Sequence, residues 1–411
     1  MAPFASRVRH GFGLLGLAAV LACAVGPWLP LATAAPLEDD GEWEITAESQ
    51  AAVDRGLRWL AANQGQEGNW KTDDLGLVAM GGLAFLSAGH MPGIGEYGEA
   101  CEKALSCVVK HAKPSGLLNI AGSQRDMYNH GLSTFVLGQA YGMTGDERIG
   151  KALDRALKLI AKTQGEKGGW GYEARPGDHD LSLAVMQAKA LRSAGDSGFE
   201  IPPSVIEKAI KRIRDRYHPK GGKRSMPEAE LRKLPGQFTY QEGGNGPTVA
   251  MAAAGVVCLQ EFGQYEDWRI AKSMERVNAE IAKLKPQKAG DGRLPFDAYT
   301  LQYVGQALYQ VGGPGWRQHY PALRDAIVAA QVIDPRNPAN DGRWAAGAHL
   351  AAGKPGDHLY GTAVAVFVLS IPNRYLPILQ RGEEAAAQDG VASDSAAGVS
   401  RGATVWAGGP R

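Results

Sequence analysis

Stretches rich in charged residues alternate with uncharged stretches along most of the chain. In the first charged stretch, Val53, Leu57 and Leu60 form one stripe of a 3.6-residue period, which predicts an amphipathic helix. The next stretch carries no charge between Leu75 and Leu86, which predicts a helix buried on all sides. The full pattern predicts six helical hairpins. Their outer helices are expected at 47–63, 99–112, 149–162, 203–216, 267–284 and 321–332, and their inner helices at 74–88, 127–143, 180–193, 247–260, 297–311 and 359–371.

A heptapeptide of the pattern Q-G-x-x-G-x-W occurs twice, at 64–70 and at 164–170. This spacing equals two periods of about fifty residues, which is typical of arrays of helical hairpins. Charged helices that alternate with uncharged ones predict an inner barrel wrapped by an outer layer. An open solenoid of the same hairpins is the alternative. The last hairpin resembles the others instead of a polar cap, which favours closure into an all-α, α/α toroid.

The first 34 residues are expected to be an export signal. Arg7 and Arg9 precede an apolar run, and Ala32-Thr33-Ala34 offers a small-residue cleavage site. A lipoprotein signal, based on a loose match that ends at Cys23, is the alternative. The mature protein is therefore expected in the periplasm, at the cell surface or outside the cell.

The remainder divides into three parts by composition. Residues 35–45 are expected to be a flexible leader and 46–380 the repeat region. Residues 381–411 are rich in Ala, Gly, Ser and acidic residues, which predicts a disordered tail.

Net charge gives no indication of a nucleic-acid partner. Without residues 1–34 the chain has 42 Lys and Arg and 43 Asp and Glu. One segment, 208–233, holds ten basic and three acidic residues. It is interpreted either as a solvated helix face with a basic loop or as a peripheral contact for an anionic surface. A monomer is expected.

The repeats resemble the prenyltransferase and squalene oxidase repeat family, which includes protein prenyltransferase β subunits and squalene cyclase-like terpene cyclases. The resemblance covers about 46–380 and rests on a Q-x-x-x-G-x-W motif, found at Gln64/Gly68/Trp70 and at Gln164/Gly168/Trp170. Weaker copies end at Phe238, Phe296 and Trp344. The resemblance implies an α6/α6 toroid in which the motif ties an outer helix to the turn before an inner helix. The Gln and Trp residues of both copies are thus expected to be structural.

Two catalytic roles can be compared with the family. Squalene cyclases carry the motif D-x-D-D after a Trp and a short loop, and the acid in this motif protonates the polyene. Asp178 and Asp180 match the first two carboxylates, and Leu181 occupies the third position. The resemblance implies Asp180 as a general acid with Asp178 and His179 in support.

The prenyltransferases of the family hold zinc on a D-x-C pair and on a His three residues after an Asp. Tyr299 follows Asp297 and Tyr360 follows Asp357 at the matching positions. Neither thiolate nor imidazole is present there, so no zinc is expected. No other metal or cofactor is expected.

Acidic residues recur near the starts of the inner helices. They are interpreted either as helix caps or as part of a cavity at one mouth of the barrel, where aromatic and histidine side chains join them. The predicted cavity residues are Tyr128, His130, His179, Asp297, Tyr299, Tyr303, Asp357, His358 and Tyr360. A long segment, 217–246, breaks the period and is interpreted as a lid or as a flexible excursion.

These observations favour an exported toroid that binds an apolar small molecule or a peptide in its central cavity, without evident catalysis. A terpene cyclase-like isoprenoid enzyme with Asp180 as acid is the first alternative. A carbohydrate-active enzyme is the second, because other α6/α6 barrels act through carboxylate pairs.

Overall fold

The computed structural model describes residues 43–223, 225–285, 289–347 and 356–380. The expected export signal, most of the leader and the tail after residue 380 lie outside these residues. None of the helices formed by the described residues has the length and apolar composition required to cross a lipid bilayer.

The described residues form helices joined by turns, with one small hairpin of strands. The helices are α1 (Ala47–Asn63), α2 (Leu75–Ser87), α3 (Gly98–Lys110), α4 (Asp126–Thr144), α5 (Glu147–Thr163), α6 (Leu181–Asp196), α7 (Pro203–Asp215), α8 (Glu228–Leu231), α9 (Val249–Glu261), α10 (Trp268–Ile281), α11 (Ala298–Val311), α12 (Gly313–Ala330), α13 (Asp357–Ser370) and α14 (Pro377–Gln380). The strands β1 (Tyr217–Pro219) and β2 (Gly236–Phe238) pair antiparallel, with Tyr217 opposite Phe238.

Six helices form a closed inner ring. Going round the ring, α2, α4, α6, α9, α11 and α13 each pack against the next, and α13 packs against α2. The outer helices α1, α3, α5, α7, α10 and α12 wrap this ring, and α12 packs against α1. The predicted α/α toroid is confirmed, and the open solenoid is not what this chain forms.

The two layers follow from the sequence pattern. Every residue of α2 is buried, as expected for a helix surrounded by neighbours. In the outer helix α5, the buried residues Ile149, Leu153 and Ile160 lie on one face while the other face carries Lys and Arg. The outer helices α1, α5 and α10 begin at capping residues, and at the start of α5 the carboxylate of Asp146 accepts from the backbone N–H of Arg148.

A repeated glutamine bridge joins neighbouring hairpins. The side-chain amide of Gln64 donates to the carbonyls of Gly68 and Ala100, and that of Gln164 donates to those of Gly168 and Val205. In each case one carbonyl belongs to the following turn and the other to the next outer helix. The bridge therefore fixes the position of one hairpin on the next.

The same bridge closes the ring. Gln331 donates at 2.9 Å to the carbonyl of Gly342 and at 2.9 Å to that of Ala52 in α1. Gly342 has a φ of +92°, and a Cβ there would lie 2.4 Å from the carbonyl oxygen of Arg55. Only glycine fits this close approach.

Aromatic side chains fill the space between hairpins. The indole N–H groups of Trp70, Trp170 and Trp344 donate at 2.9 Å to the carbonyls of Leu60, Ile160 and Ile327. Phe238 packs closely over Gly255, where a Cβ would lie 2.1 Å from its ring. The rings of Trp70 and Phe238 thus pack directly against glycines of inner helices, Gly81 in α2 and Gly255 in α9.

The last outer helix differs from the sequence prediction. It begins at Gly313, eight residues before the expected start at 321, and contains Pro321 in its interior. Pro314 occupies the first turn, where no backbone N–H is needed. Trp316 and Tyr320 are buried and stack with ring centroids 3.9 Å apart, which stabilises the early turns despite the proline.

Replacing Gln331 by alanine should destabilise the toroid. Two buried carbonyls would lose their donor, at a cost of about 1–3 kcal/mol in the free energy of unfolding. Gln318→Ala, an exposed change on the same outer helix, should cost less than about 0.5 kcal/mol. Urea unfolding of both variants measures the difference, and equal losses would contradict a closing role for Gln331.

Candidate functional site: an aromatic cavity at the mouth of the toroid

A small cavity lies at the mouth where the inner helices begin. It has a volume of about 170 Å³. Its walls come from the first turns of α2, α4, α11 and α13, from the first half of α6 and from the segment before α9. The lining residues are Leu77, Arg125, Tyr128, Leu132, Met186, Tyr240, Tyr299 and Tyr360. We call this site the tyrosine mouth.

The cavity is buried at its base and open to solvent at one edge. Leu77, Met186 and Tyr299 are almost fully buried. The side chain of Arg125 is 43% exposed and pairs at 2.6 Å with Asp74. Its guanidinium lies 5.7 Å from the centroid of the Tyr128 ring. The site therefore offers apolar and aromatic walls below a single exposed cation.

The long segment between α7 and α9 contributes one wall. β1 and β2 hold it together, and the backbone carbonyl of Tyr240 accepts from the N–H of Leu181 at 3.0 Å. This bond seats the Tyr240 side chain at the mouth. The idea that 217–246 acts as a lid remains a prediction.

The basic residues of 208–233 are partly used inside the protein. Arg212 and Arg216 are buried and bind Asp178, and Arg232 and Lys233 pair with acids of α8. Contact with an anionic surface through this segment remains a prediction, and fewer of its cations are available for it.

The four phenols of the tyrosine mouth are neutral at physiological pH. Burial raises the pKa of Tyr128 to about 12 and also raises the pKa of Tyr240. Burial raises the pKa of Tyr299 and of Tyr360 well above the usual value. The phenols can thus offer ring faces and hydroxyl hydrogen bonds, but no charge.

Asp180 caps α6 and is held by several hydrogen bonds. Its carboxylate accepts from the backbone N–H and the hydroxyl of Ser182, and from Tyr172 at 2.9 Å. Nδ1 of His179 lies 2.9 Å from the same carboxylate. The Ser182 hydroxyl also meets the Tyr128 hydroxyl at 2.5 Å. Asp180 is therefore connected to a cavity wall through one serine.

Asp178 lies in an ion-pair cluster away from the cavity. Its oxygens contact Arg212 at 2.5 Å and Arg216 at 3.0 Å, and both guanidinium groups are largely buried. Arg212 also pairs with Glu242 in the long segment. This arrangement ties the loop before α6 to α7 and to the segment beyond it.

The other mouth acids serve different purposes. Asp297 caps α11 by accepting from the N–H of Thr300 at 3.0 Å. Asp126 accepts from the N–H of Ala174 in the next hairpin, and Asp357 accepts from the N–H of Ala346. Asp180 and Asp297 thus act as the predicted caps, whereas Asp126 and Asp357 fasten loops.

Three of the predicted cavity residues line the tyrosine mouth: Tyr128, Tyr299 and Tyr360. Tyr303 lies one turn deeper, with its hydroxyl 3.3 Å from the sulfur of Met186. Asp297 and Asp357 have the capping and loop-fastening roles described above and are not part of the wall.

The three histidines do not line the cavity. His130 is fully buried between a loop and the outer layer, with Nε2 3.1 Å from the carbonyl of Ala156, and burial lowers its pKa to about 4. His179 packs on the Tyr172 ring beside Asp180. His358 lies between Trp59 and Arg343. Each ring is engaged by these contacts instead of lining the cavity.

Sequence reasoning missed five wall residues. Leu132 lies one turn after Tyr128 on α4, so the helical period alone indicates it. Met186 and Leu77 lie on uncharged helices whose residues are nearly all apolar, where no pattern separates an axis-facing side chain from a core one. Arg125 and Tyr240 lie in irregular segments, where periodicity carries no information.

A lysine lies inside the ring below the cavity. Lys189 on α6 is fully buried, and its ammonium nitrogen has no hydrogen-bond partner among the described residues. It lies 4.1 Å from the ring centroid of Phe135, 5.8 Å from that of Tyr303 and 5.9 Å from that of Phe367. Burial lowers the pKa of Lys189, and Glu261 opposes this shift.

A row of glutamines continues the polar interior along α11. Gln302, Gln306 and Gln310 are spaced four residues apart on one face. Gln302 accepts from the Tyr360 hydroxyl at 3.1 Å, and Gln310 donates to Glu261 at 2.9 Å. Burial raises the pKa of Glu261. The ring thus has a polar interior that reaches from the tyrosine mouth to the opposite end.

Across the described ranges, no cluster of His, Cys, Asp and Glu has the arrangement needed to hold a metal ion. All three cysteines within those ranges are buried free thiols.

Comparison with known proteins supports the fold class. No protein-family model matches the chain. It is 28% identical to drimenyl diphosphate synthase of Streptomyces showdoensis over 185 residues, which cover 44% of this chain and 33% of that protein. The chain thus spans about a third of the length of this curated relative.

Two solved structures share the architecture. One is an inactive variant of the α-1,6-mannanase GH76A of Salegentibacter sp. HEL1_6 in complex with α-1,6-mannotriose, with a TM-score of 0.52 and 10% identity over 78% of this chain and 99% of that one. The other is the unsaturated glucuronyl hydrolase of Bacillus sp. GL1, with a TM-score of 0.50 and 13% identity over 78% and 96%. These similarities show an α/α toroid and nothing finer.

Replacing Lys189 by methionine should stabilise the protein. The change keeps an unbranched side chain that is one atom shorter, and it removes a buried amine that has no hydrogen-bond partner among the described residues, so we expect a gain of about 1–3 kcal/mol at neutral pH. Lys158→Met, an exposed change on α5, should have little effect. Thermal and urea unfolding measure both, and a loss of stability in Lys189→Met would show that the amine has a stabilising partner.

The pH dependence provides a second measure of the same group. The folded-state pKa of Lys189 lies below the unfolded value of 10.5, so the unfolded chain binds more protons between the two values. Stability of the wild type should therefore rise with pH across that window, relative to Lys189→Met. An identical slope in both proteins would contradict the lowered pKa.

Proposed function

We propose that this protein binds a compact apolar group, of the size of one aromatic ring, in the tyrosine mouth. The proposal rests chiefly on the volume and lining of the cavity. A dry apolar cavity of about 150 Å³ is known to accept benzene. A cavity of about 170 Å³ therefore accommodates one ring, either of a small molecule or of a peptide side chain.

The chemistry of the walls supports the same ligand class. Leu77, Leu132 and Met186 supply apolar surface, and the phenols supply ring faces for edge or stacked contacts. Arg125 at the exposed edge favours a ligand whose polar or anionic substituent points to solvent. Large isoprenoids exceed this volume, so they would require the mouth to widen.

Filling the cavity tests the proposal. Toluene or phenol should raise the melting temperature of the wild type in a concentration-dependent manner, because each binds only the folded state. Leu132→Trp should abolish the rise by occupying the space. Leu105→Phe, a matched enlargement at a buried position of α3, should retain it. Equal ligand-induced shifts in both variants would contradict binding at the tyrosine mouth.

A second candidate is acid-initiated cyclisation of an isoprenoid, with Asp180 as the acid. The observation that favours it is the hydrogen-bonded path from Asp180 through Ser182 to Tyr128. The partial likeness to a drimenyl diphosphate synthase supports the same reaction class. Leu181 in place of a further carboxylate and the small cavity weigh against it.

A pair of cap substitutions separates acid catalysis from capping. If Asp180 is the acid, Asp180→Asn should reduce the turnover of an acyclic isoprenoid diphosphate by more than about 100-fold. Asp297→Asn removes the carboxylate of another cap and should leave turnover intact. Both changes should lower stability by up to about 1 kcal/mol. Absence of any cyclic product from the wild type would eliminate this candidate.

A further inference from the structure

Lys189 and the rings of Phe135, Tyr303 and Phe367 form what we call the Lys189 site. Three residues that line the cavity each precede a residue of this site by one helical turn. Met186 precedes Lys189 by three positions on α6. In the same way Leu132 precedes Phe135 on α4, and Tyr299 precedes Tyr303 on α11. Residues three or four apart share a helix face, so the base of the tyrosine mouth is the roof of the Lys189 site.

The roof is made of adaptable contacts. The Tyr303 hydroxyl contacts the sulfur of Met186 at 3.3 Å. Among the described residues, no ion pair closes the boundary between the tyrosine mouth and the Lys189 site. Methionine is unbranched and has three rotatable bonds, so a rotamer change at Met186 opens a path at low cost. A ligand seated in the cavity would then face the amine of Lys189.

We propose that Lys189 is a carbonyl-reactive amine that forms an imine with an apolar, ring-sized aldehyde admitted through the tyrosine mouth. The inference rests on the proposed function, because the cavity supplies the route. The site around the amine is made of the rings of Phe135, Tyr303 and Phe367. Such walls accept an apolar aldehyde and exclude a phosphorylated one.

The protonation state suits this chemistry. A desolvated lysine is a nucleophile at neutral pH because its amine is largely unprotonated. Burial lowers the pKa of Lys189 and so favours the neutral amine. Glu261 and the cation–π contacts with the rings favour the ammonium form. The acidic groups Tyr303 and Cys258 are held neutral by burial, which raises the pKa of both.

The reaction balances without a cofactor. The lone pair of Nζ attacks the carbonyl carbon, and one proton of the amine moves to the carbonyl oxygen to give a carbinolamine. Loss of that oxygen as water takes the second amine proton and leaves the C=N double bond. No electron donor or acceptor is required, and water is the only product besides the imine.

Reductive trapping tests the inference on the whole protein. With benzaldehyde and cyanoborohydride at pH 7.5, peptide mapping should find Lys189 benzylated at least about tenfold faster than Lys158, an exposed lysine that pairs with Asp154. Toluene should slow the labelling of Lys189 and leave that of Lys158 unchanged. Pyridoxal phosphate should label Lys158 and leave Lys189 unmodified.

Two variants complete the design. Leu132→Trp, which fills the mouth, should abolish the labelling of Lys189, and Lys158→Met should leave it unchanged. Labelling of Lys189 no faster than that of Lys158, in a protein whose melting temperature toluene raises, would overturn the inference while the proposed function stands. Full labelling of Lys189 in Leu132→Trp would overturn the route through the mouth. No toluene shift in the wild type would defeat the proposed function itself.

Discussion

A side-chain amide that bridges two backbone carbonyls from different hairpins holds this toroid together. The six inner helices are buried on nearly all sides and have no face suited to water, so they are stable only as a complete ring. The amide of Gln331 supplies the last contact by reaching back to α1, as Gln64 and Gln164 reach forward to their neighbours. The tryptophans and glycines beside these amides matter because they allow the hairpins to approach closely enough for the bridge to form.

Closure of the ring also determines what chemistry remains for a ligand. Most mouth acids are engaged in capping, in ion pairs or in fastening loops, so the groups left facing the cavity are phenols, apolar side chains and Arg125. Below them the interior holds an amine with no hydrogen-bond partner in the described part of the chain, and a row of glutamine amides. Buried polar groups without hydrogen-bond partners lower stability, which directs attention to the interior as a functional region.

The alternation of charge along the chain predicts the hairpins and the two layers, because burial on all sides leaves a clear compositional signal. Closure of the ring required a further observation, namely that the last hairpin resembles the others instead of a polar cap. The closing motif was harder to identify, since Gln331 and Gly342 are 11 residues apart instead of four. At the site, Tyr128, Tyr299 and Tyr360 were predicted from their places near helix starts. His130 shows why other predicted cavity residues do not line the tyrosine mouth. A position near a helix start sets how far along the helix axis a side chain lies, but its angular position around that axis determines whether it faces the cavity or the outer layer.

The joint between the ends of the toroid has a topological consequence. Glu44 pairs with Arg374 at 3.3 Å and accepts from the indole of Trp316, so the first and last described segments lie side by side. Gln331 bridges the seam between the two ends of the ring, in the same way as Gln64 and Gln164 bridge two internal seams. The two described ends therefore meet at a seam of the same kind as two internal ones, and a circularly permuted chain that begins at one of those internal seams would keep the same neighbours around the ring.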